Sequence, residues 1–266
     1  MIYFSSLLKT IDKYKPAAER LFAALSYHNA ECYLLDGTRD IWLRDFMPIK
    51  TKSGKYVSFR YEPSYLEEDK HLQTDFKCDI SDKLSLPNLI CSGINLDGGN
   101  VVFSPSKQTA IISDRVFAEN KYINKTELLQ NLEQLLETQI IIIPSLKSDM
   151  TGHADGMVRF VDEDTAVVND TPYKNGLEQR IVKKLNACGI NIIPFPYFDS
   201  PNDSAVGCYL NFLETEEALF LPIFGVNMDS KAIDTAKHIF NKTIVPVNIN
   251  EIAVKGGVLN CISWED

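Results

Sequence analysis

The sequence has little with which to hold a metal and no pattern that would frame a disulfide-rich domain. Only four histidines occur in 266 residues, none at HxxxH spacing, and there is no CxxC pair, so the usual donor sets of zinc sites are missing. The cysteines Cys32, Cys78, Cys91, Cys188, Cys208 and Cys261 are scattered without tight pairs, which excludes the framework of a small secreted domain. Five of them read as small buried hydrophobes. No stretch approaches the ~20 apolar residues of a membrane span. The opening MIYFSSLLKTIDKYKP has neither a basic leader nor a long apolar core, so a cytoplasmic location without a membrane partner is expected. Basic residues are the minority, 27 against 36 acidic, for a formal charge of -9. That balance repels phosphate backbones and favours cationic ligands, and nucleic acid is not expected as a partner.

What the chain does have is apolar patterning, with 45% hydrophobic residues, and an internal repeat. A strand pair, an amphipathic helix and a further apolar strand follow one another three times. In the first copy NVVFS and TAIIS flank a polar turn at Pro105 to Gln108, a helix runs from about Lys125 to Glu137, and QIIIIP closes the unit. Leu128, Leu129, Leu132, Leu135 and Leu136 share one face of that helix. The second copy is MVRFV and TAVVN, a helix carrying Leu177, Ile181, Val182 and Leu185, then NIIPF. The third is YLNFL, EALFL, a helix over Ile233 to Ile239, then TIVPV. The closing strands begin at 139, 191 and 243, a spacing of 52 residues. PIKTKSGKYVSFRY, a polar stretch from Glu62 to Pro87 and NLICS make a less regular fourth unit. A helix with Ala17, Ala18, Leu21, Phe22 and Leu25 before ECYLL makes a partial fifth, whose hairpin the C-terminal NCIS can complete. Units that bury their apolar faces only against neighbours arrange themselves around an axis or along a solenoid, and five favour a closed ring. An α/β fold over residues 1–266 as a single domain follows.

The polar motifs occupy the same place in each unit, between a closing strand and the next hairpin, so their loops must converge. These junctions hold Trp42-Leu43-Arg44-Asp45, then Asp97-Gly98-Gly99-Asn100, then Gly152-His153-Ala154-Asp155, then Ser204 to Asn211, and last Gly256-Gly257 before Cys261. A thiol, an imidazole and at least two carboxylates would meet at one end of the axis. Carboxylates hold a planar cation with several N–H donors in bidentate fashion, and guanidinium is such a cation. A thiolate is the natural nucleophile for its electron-poor carbon, and a neighbouring cation or histidine lowers a thiol's pKa. Taken singly, His153 is more often a hydrogen-bonded structural histidine, Asp45 a turn or ion-pair residue and Trp42 part of a core. Asn211 lies inside the apolar YLNFL, where a structural hydrogen bond competes with substrate contact. Gly98 and Gly99 read as a tight turn opening a strand.

WLRDFMPI, NLDGGNVVFSP, GHADGMVRF and GGVLNC resemble, in order and spacing, the agmatine deiminase and bacterial (Porphyromonas-type) peptidylarginine deiminase family. The resemblance spans residues 42 to 261. It implies a pentein fold, a five-bladed α/β propeller with pseudo-fivefold repeats, and hydrolysis of a guanidine to a ureido group plus ammonia, without metal or organic cofactor. By the same resemblance Cys261 is the nucleophile that forms a covalent thiouronium intermediate, His153 the general acid and base, and Asp45 and Asp155 the carboxylates that grip the guanidinium. Trp42 and Asn211 fall where the family lines its substrate channel, and Asp97 and Asn100 are expected there too. The partner implied is a small cationic guanidine, with agmatine in front, a putrescine and polyamine route behind it, and a homo-oligomer left open.

Two departures stand out. Asn260 precedes the nucleophile where typical agmatine deiminases carry histidine. The chain also begins almost directly at a helix, so one blade is expected to be incomplete or rebuilt from Met1 to Ser5. Rival readings are an amidinotransferase, a free- or peptidyl-arginine deiminase using the same nucleophile, and a guanidine-binding module without catalysis. A papain-like hydrolase would place its cysteine before its histidine, the reverse of the order here.

Overall fold

A strand that runs parallel to its neighbour cannot be reached by a tight turn, so a hairpin that adds a parallel third strand needs a crossover segment. The computed structural model, which describes residues 1–146, 149–170, 176–200 and 204–266, repeats that arrangement five times. Each sheet has three strands, with the middle one antiparallel to the first and parallel to the third. The blades are Ile49–Lys50, Tyr56–Arg60 and Leu89–Asn95; Val101–Phe103, Thr109–Ser113 and Gln139–Ile143; Val158–Phe160, Thr165–Asp170 and Asn191–Pro196; and Leu213–Glu214, Ala218–Ile223 and Thr243–Asn248. The fifth joins Ile2–Ser5 to Cys32–Leu35 on one side and to Ser263–Glu265 on the other. This is the five-bladed α/β propeller of the pentein fold.

Four of the crossovers are helices, Lys15–Tyr27, Lys125–Leu136, Leu177–Ala187 and Met228–Ile239. In Lys125–Leu136 the stripe Leu128, Leu132 and Leu136 is fully buried. The side chain of Asn124 starts that helix by accepting from the Thr126 N–H at 2.9 Å, satisfying one of the donors a helix leaves unpaired. The expected irregular unit has no crossover helix. Between Glu62 and Pro87 the chain makes four short turns, Ser64–Leu66, Lys70–Leu72, Phe76–Ile80 and Ser81–Lys83, because its apolar residues Leu66, Phe76 and Ile80 reach the core at irregular spacing. Among the described residues no helix is long and apolar enough to cross a membrane.

Three local expectations change, although the blade without an opening strand is rebuilt by Ile2–Ser5, one of the two outcomes expected for it, and this strand becomes its middle one. Its partner is Ser263–Glu265 and not NCIS, because the backbone around Cys261 is used elsewhere: Asn260 N–H donates to Asn211 O at 3.1 Å and Arg44 N–H to Cys261 O at 3.1 Å. The same bond explains why YLNFL shrinks to a strand at Leu213–Glu214, leaving Asn211 in the turn before it. The cysteines also differ, since Cys78, Cys91 and Cys188 are exposed and not buried. All three lie outside the buried stripes.

Ring closure leans on Trp264, which is 3% exposed. Its indole lies 5.3 Å from the Tyr3 ring and donates to Pro48 O at 2.7 Å. Trp264→Ala is expected to lower the unfolding free energy by about 3–5 kcal/mol, read as a drop in the urea midpoint. A loss within error would show that closure does not depend on this side chain.

Candidate active site

The functional side chains stand on the short connections between one blade and the next. Asp45 lies on the one-turn helix Leu43–Phe46, Asn100 on the turn Gly98–Asn100 with Asp97 just before it, and Asp155 on the turn Ala154–Gly156 with His153 as its first cap. Asn211 and Cys261 come from the connections before Leu213 and before Ser263. Hydrogen bonds link these junctions in sequence around the axis. Gly99 N–H donates to Asp45 Oδ1 at 3.1 Å, and His153 Nε2 lies 2.8 Å from Asp97 Oδ2. Asn211 Nδ2 donates to Asp155 Oδ2 at 2.9 Å, and Cys261 N–H to Asn211 Oδ1 at 3.2 Å. Arg44 N–H, donating to Cys261 O, returns the circuit to its start.

Asp45, His153, Asp155 and Cys261 border one cavity of about 630 Å³. The Cys261 thiol donates towards Asp155 Oδ2 at 3.6 Å. Its pKa is pushed well above the ordinary thiol value, first by burial, then by Asp155 and Asp45; the sulfur is therefore protonated in the unliganded site. His153 sits between two carboxylates, with Nδ1 3.5 Å from Asp45 Oδ1. Burial works against its charge, but Asp45 and the bond to Asp97 carry its pKa upwards. Burial likewise raises the Asp45 carboxyl, an effect that His153 opposes and Asp97 and Asp155 reinforce. Asp45 and His153 thus titrate as a pair, not as separate groups.

Trp42 also borders this cavity and packs on Gly257, where a Cβ would strike its ring. Asn211 borders it too, with its amide spent on Asp155 and the Cys261 backbone. Two expected substrate contacts are corrected. Asp97 does not border the cavity: its Oδ2 takes up His153 and, at 3.0 Å, the Tyr65 hydroxyl. Asn100 is 3% exposed, and its Oδ1 accepts from Ser113 N–H at 2.9 Å and Ala154 N–H at 3.2 Å. It ties the histidine loop to its own blade. Gly98 and Gly99 have ordinary negative φ, so they are not there for turn dihedrals. A Cβ on Gly99 would lie 2.6 Å from Asp45 Oδ1 and 2.9 Å from His153 Nδ1, and one on Gly98 would run into the Arg44 carbonyl. Tyr65, within the uninterpreted polar stretch, is the contributor that sequence patterning missed; no period or motif marks it. Among the described residues, no cluster of three His, Cys, Asp or Glu side chains has the geometry of a metal site.

The fold is shared with solved enzymes of low sequence identity. An agmatine deiminase of C. jejuni superposes with a TM-score of 0.76 at 19% identity, covering 99% of this chain and 92% of that one. An agmatine deiminase of Enterococcus faecalis gives 0.77 at 15% identity, covering 100% and 92%. A DDAH from Pseudomonas aeruginosa gives 0.61 at 11% identity, covering 98% and 97%. No curated protein matches the chain significantly. The model of the Porphyromonas-type peptidyl-arginine deiminase family matches residues 6–266, and the chain belongs to that family.

Two outcomes follow from this geometry. Alkylation of Cys261 by iodoacetamide, followed peptide by peptide to separate it from the exposed thiols, should remain slow at neutral pH and rise only above the ordinary thiol value of 9.0. A rate already saturated at pH 7 would contradict a protonated resting sulfur. Gly99→Ala should displace Asp45 or His153 and reduce turnover by about 10²-fold while the chain stays folded by circular dichroism; near-normal turnover would show that the two side chains have room to give.

Proposed function

We propose that the protein is a cysteine-dependent deiminase that converts a small cationic guanidine, with agmatine first, into the ureido product and ammonia. The observation that carries this reading is the convergence of Cys261, His153, Asp45 and Asp155 on one cavity. In this reading Asp45 and Asp155 grip the guanidinium nitrogens and hold the carbon over Sγ. Burial and then the carboxylates keep the thiol protonated; the arriving cation offsets the carboxylates' part, so the nucleophile is released when substrate is present. Sulfur attacks the guanidinium carbon, the C–N bond to one terminal nitrogen breaks, and that nitrogen takes both the thiol proton and the proton of His153, leaving as ammonium. His153, now neutral, takes a proton from water as the water oxygen bonds to the carbon. The C–S bond then breaks, giving the ureido group and returning the thiol.

The lining of the cavity bears on the choice among guanidines. Among the described residues, Asp40, Asp149, Glu178 and Asp199 line it beyond the reacting side chains, with Lys255 as the one lysine or arginine. Such a lining favours a tail that carries a second positive charge over one ending in a carboxylate. This supports agmatine over free arginine.

Ammonia release from agmatine, free arginine and an arginine-containing peptide, with wild type beside Cys261→Ala, tests the reading. Turnover of one preferred substrate that falls by more than about 10³-fold in the variant is expected. Saturable guanidine binding without turnover would replace the enzyme by a binding module, and consumption of agmatine only when an amine acceptor is supplied would make it an amidinotransferase.

A further inference from the structure

Among the described residues, the side-chain donors to Asp155 all meet one of its oxygens. Oδ2 accepts from Asn260 Nδ2 at 2.7 Å, from Asn211 Nδ2 at 2.9 Å and from the Cys261 thiol at 3.6 Å. A carboxylate has about four lone-pair positions divided between two oxygens, so this crowding on Oδ2 keeps the other oxygen for a ligand. The nearby guanidiniums are engaged elsewhere: Arg44 pairs with Glu265, while Arg159 faces Glu214 at 3.9 Å and donates to Phe212 O at 3.2 Å. The orientation of Asp155 is therefore left to the two amides. Asn260 is well placed to fix it. The residue is 7% exposed, its N–H is tied to Asn211 O, and its carbonyl accepts from Arg44 Nε at 3.3 Å and from Ser263 N–H at 3.2 Å. Its side chain has one described partner, the Asp155 carboxylate.

We propose that Asn260 is a positioning residue for the reaction: its amide N–H, acting with that of Asn211, turns Asp155 so that one carboxylate oxygen meets the nucleophile and the other meets the guanidinium. The inference rests on the reading of Asp155 as the substrate-gripping carboxylate. It makes the residue before the nucleophile a donor position, defined by what it gives and not by its size. Histidine satisfies the same requirement, because its Nδ1 stands as far from Cα as the asparagine amide nitrogen. Aspartate, nearly identical in shape, reverses it by bringing a second anion to Asp155.

The donor requirement and a packing requirement rank substitutions in opposite order. Asn260→Asp, Asn260→Leu and Asn260→His are compared in the full chain for kcat and KM in ammonia release from agmatine. The same three changes are made on a Cys261→Ala background, and guanidinium chloride binding is followed by calorimetry at concentrations far below those that unfold proteins. Asn260→Asp should lose about 100-fold or more in kcat/KM and bind guanidinium at least about 10-fold more weakly, Asn260→Leu should lose about 10-fold, and Asn260→His should stay within about 10-fold of wild type. Where Asn260→Asp does not fold, the order of His above Leu decides. Guanidinium bound equally well by the Asp and Asn forms, or His falling below Leu, would overturn the proposal. If no guanidine is turned over by wild type but guanidinium binding follows the expected order, the deiminase reading fails and the role of Asn260 stands. If the Cys261→Ala parent binds no guanidinium, both fail.

Discussion

The five blade junctions are joined by a closed circuit of hydrogen bonds around the propeller axis. Asp45 receives Gly99, Asp97 meets His153, Asp155 receives Asn211, Asn211 receives Cys261, and Cys261 receives Arg44. Each bond passes from one repeat to the next, so no blade can shift without breaking a link on both sides. The blades supply apolar burial outside this circuit, in clusters shared between neighbours. The circuit supplies what burial cannot, which is direction. A side chain placed by sheet packing alone has rotamers to choose from, whereas one bonded at both ends has a single useful one.

That rigidity is needed because the circuit concentrates negative charge out of water. Three carboxylates, Asp45, Asp97 and Asp155, are each less than one-tenth exposed, with His153 among them. Carboxylates in such surroundings tend to take up protons or draw apart. Here backbone N–H groups, two asparagine amides and one tyrosine hydroxyl hold them in place instead. Buried negative charge of this kind favours a cation, and burial together with Asp155 and Asp45 pushes the pKa of the Cys261 thiol up.

Much of this was legible in the sequence because repetition is a strong signal. Two successive spacings of 52 residues between three apolar closing strands dictate that polar junctions recur at one end of a ring, and the motif-bearing junctions do meet there. What patterning missed follows from contacts that no period encodes. Asn211 reads as a strand residue by its apolar neighbours, yet its backbone carbonyl is taken by Asn260 from the far end of the chain. Asn100 looks like a site residue because it follows Asp97-Gly98-Gly99, but its amide serves Ser113 and Ala154. Tyr65 lies in the one crossover without a helix, where neither period 2 nor period 3.6 applies. Gly98 and Gly99 do form the turn that opens the strand Val101–Phe103, as their order predicts; what patterning did not show is that they also make room for the Arg44 carbonyl and for the Asp45 and His153 side chains.

The strand Ile2–Ser5 waits for Ser263–Glu265, and Cys261 stands two residues before that partner. During synthesis, every blade but one can assemble while the chain is still growing. Cys261 and the strand that closes the ring then emerge together. A prematurely ended chain holds Asp45, His153 and Asp155, yet it lacks Cys261 and the link that Cys261 makes between Asn211 and Arg44. Closing the ring and closing the hydrogen-bonded circuit are therefore one event, because Cys261 and the last strand are neighbours in the chain.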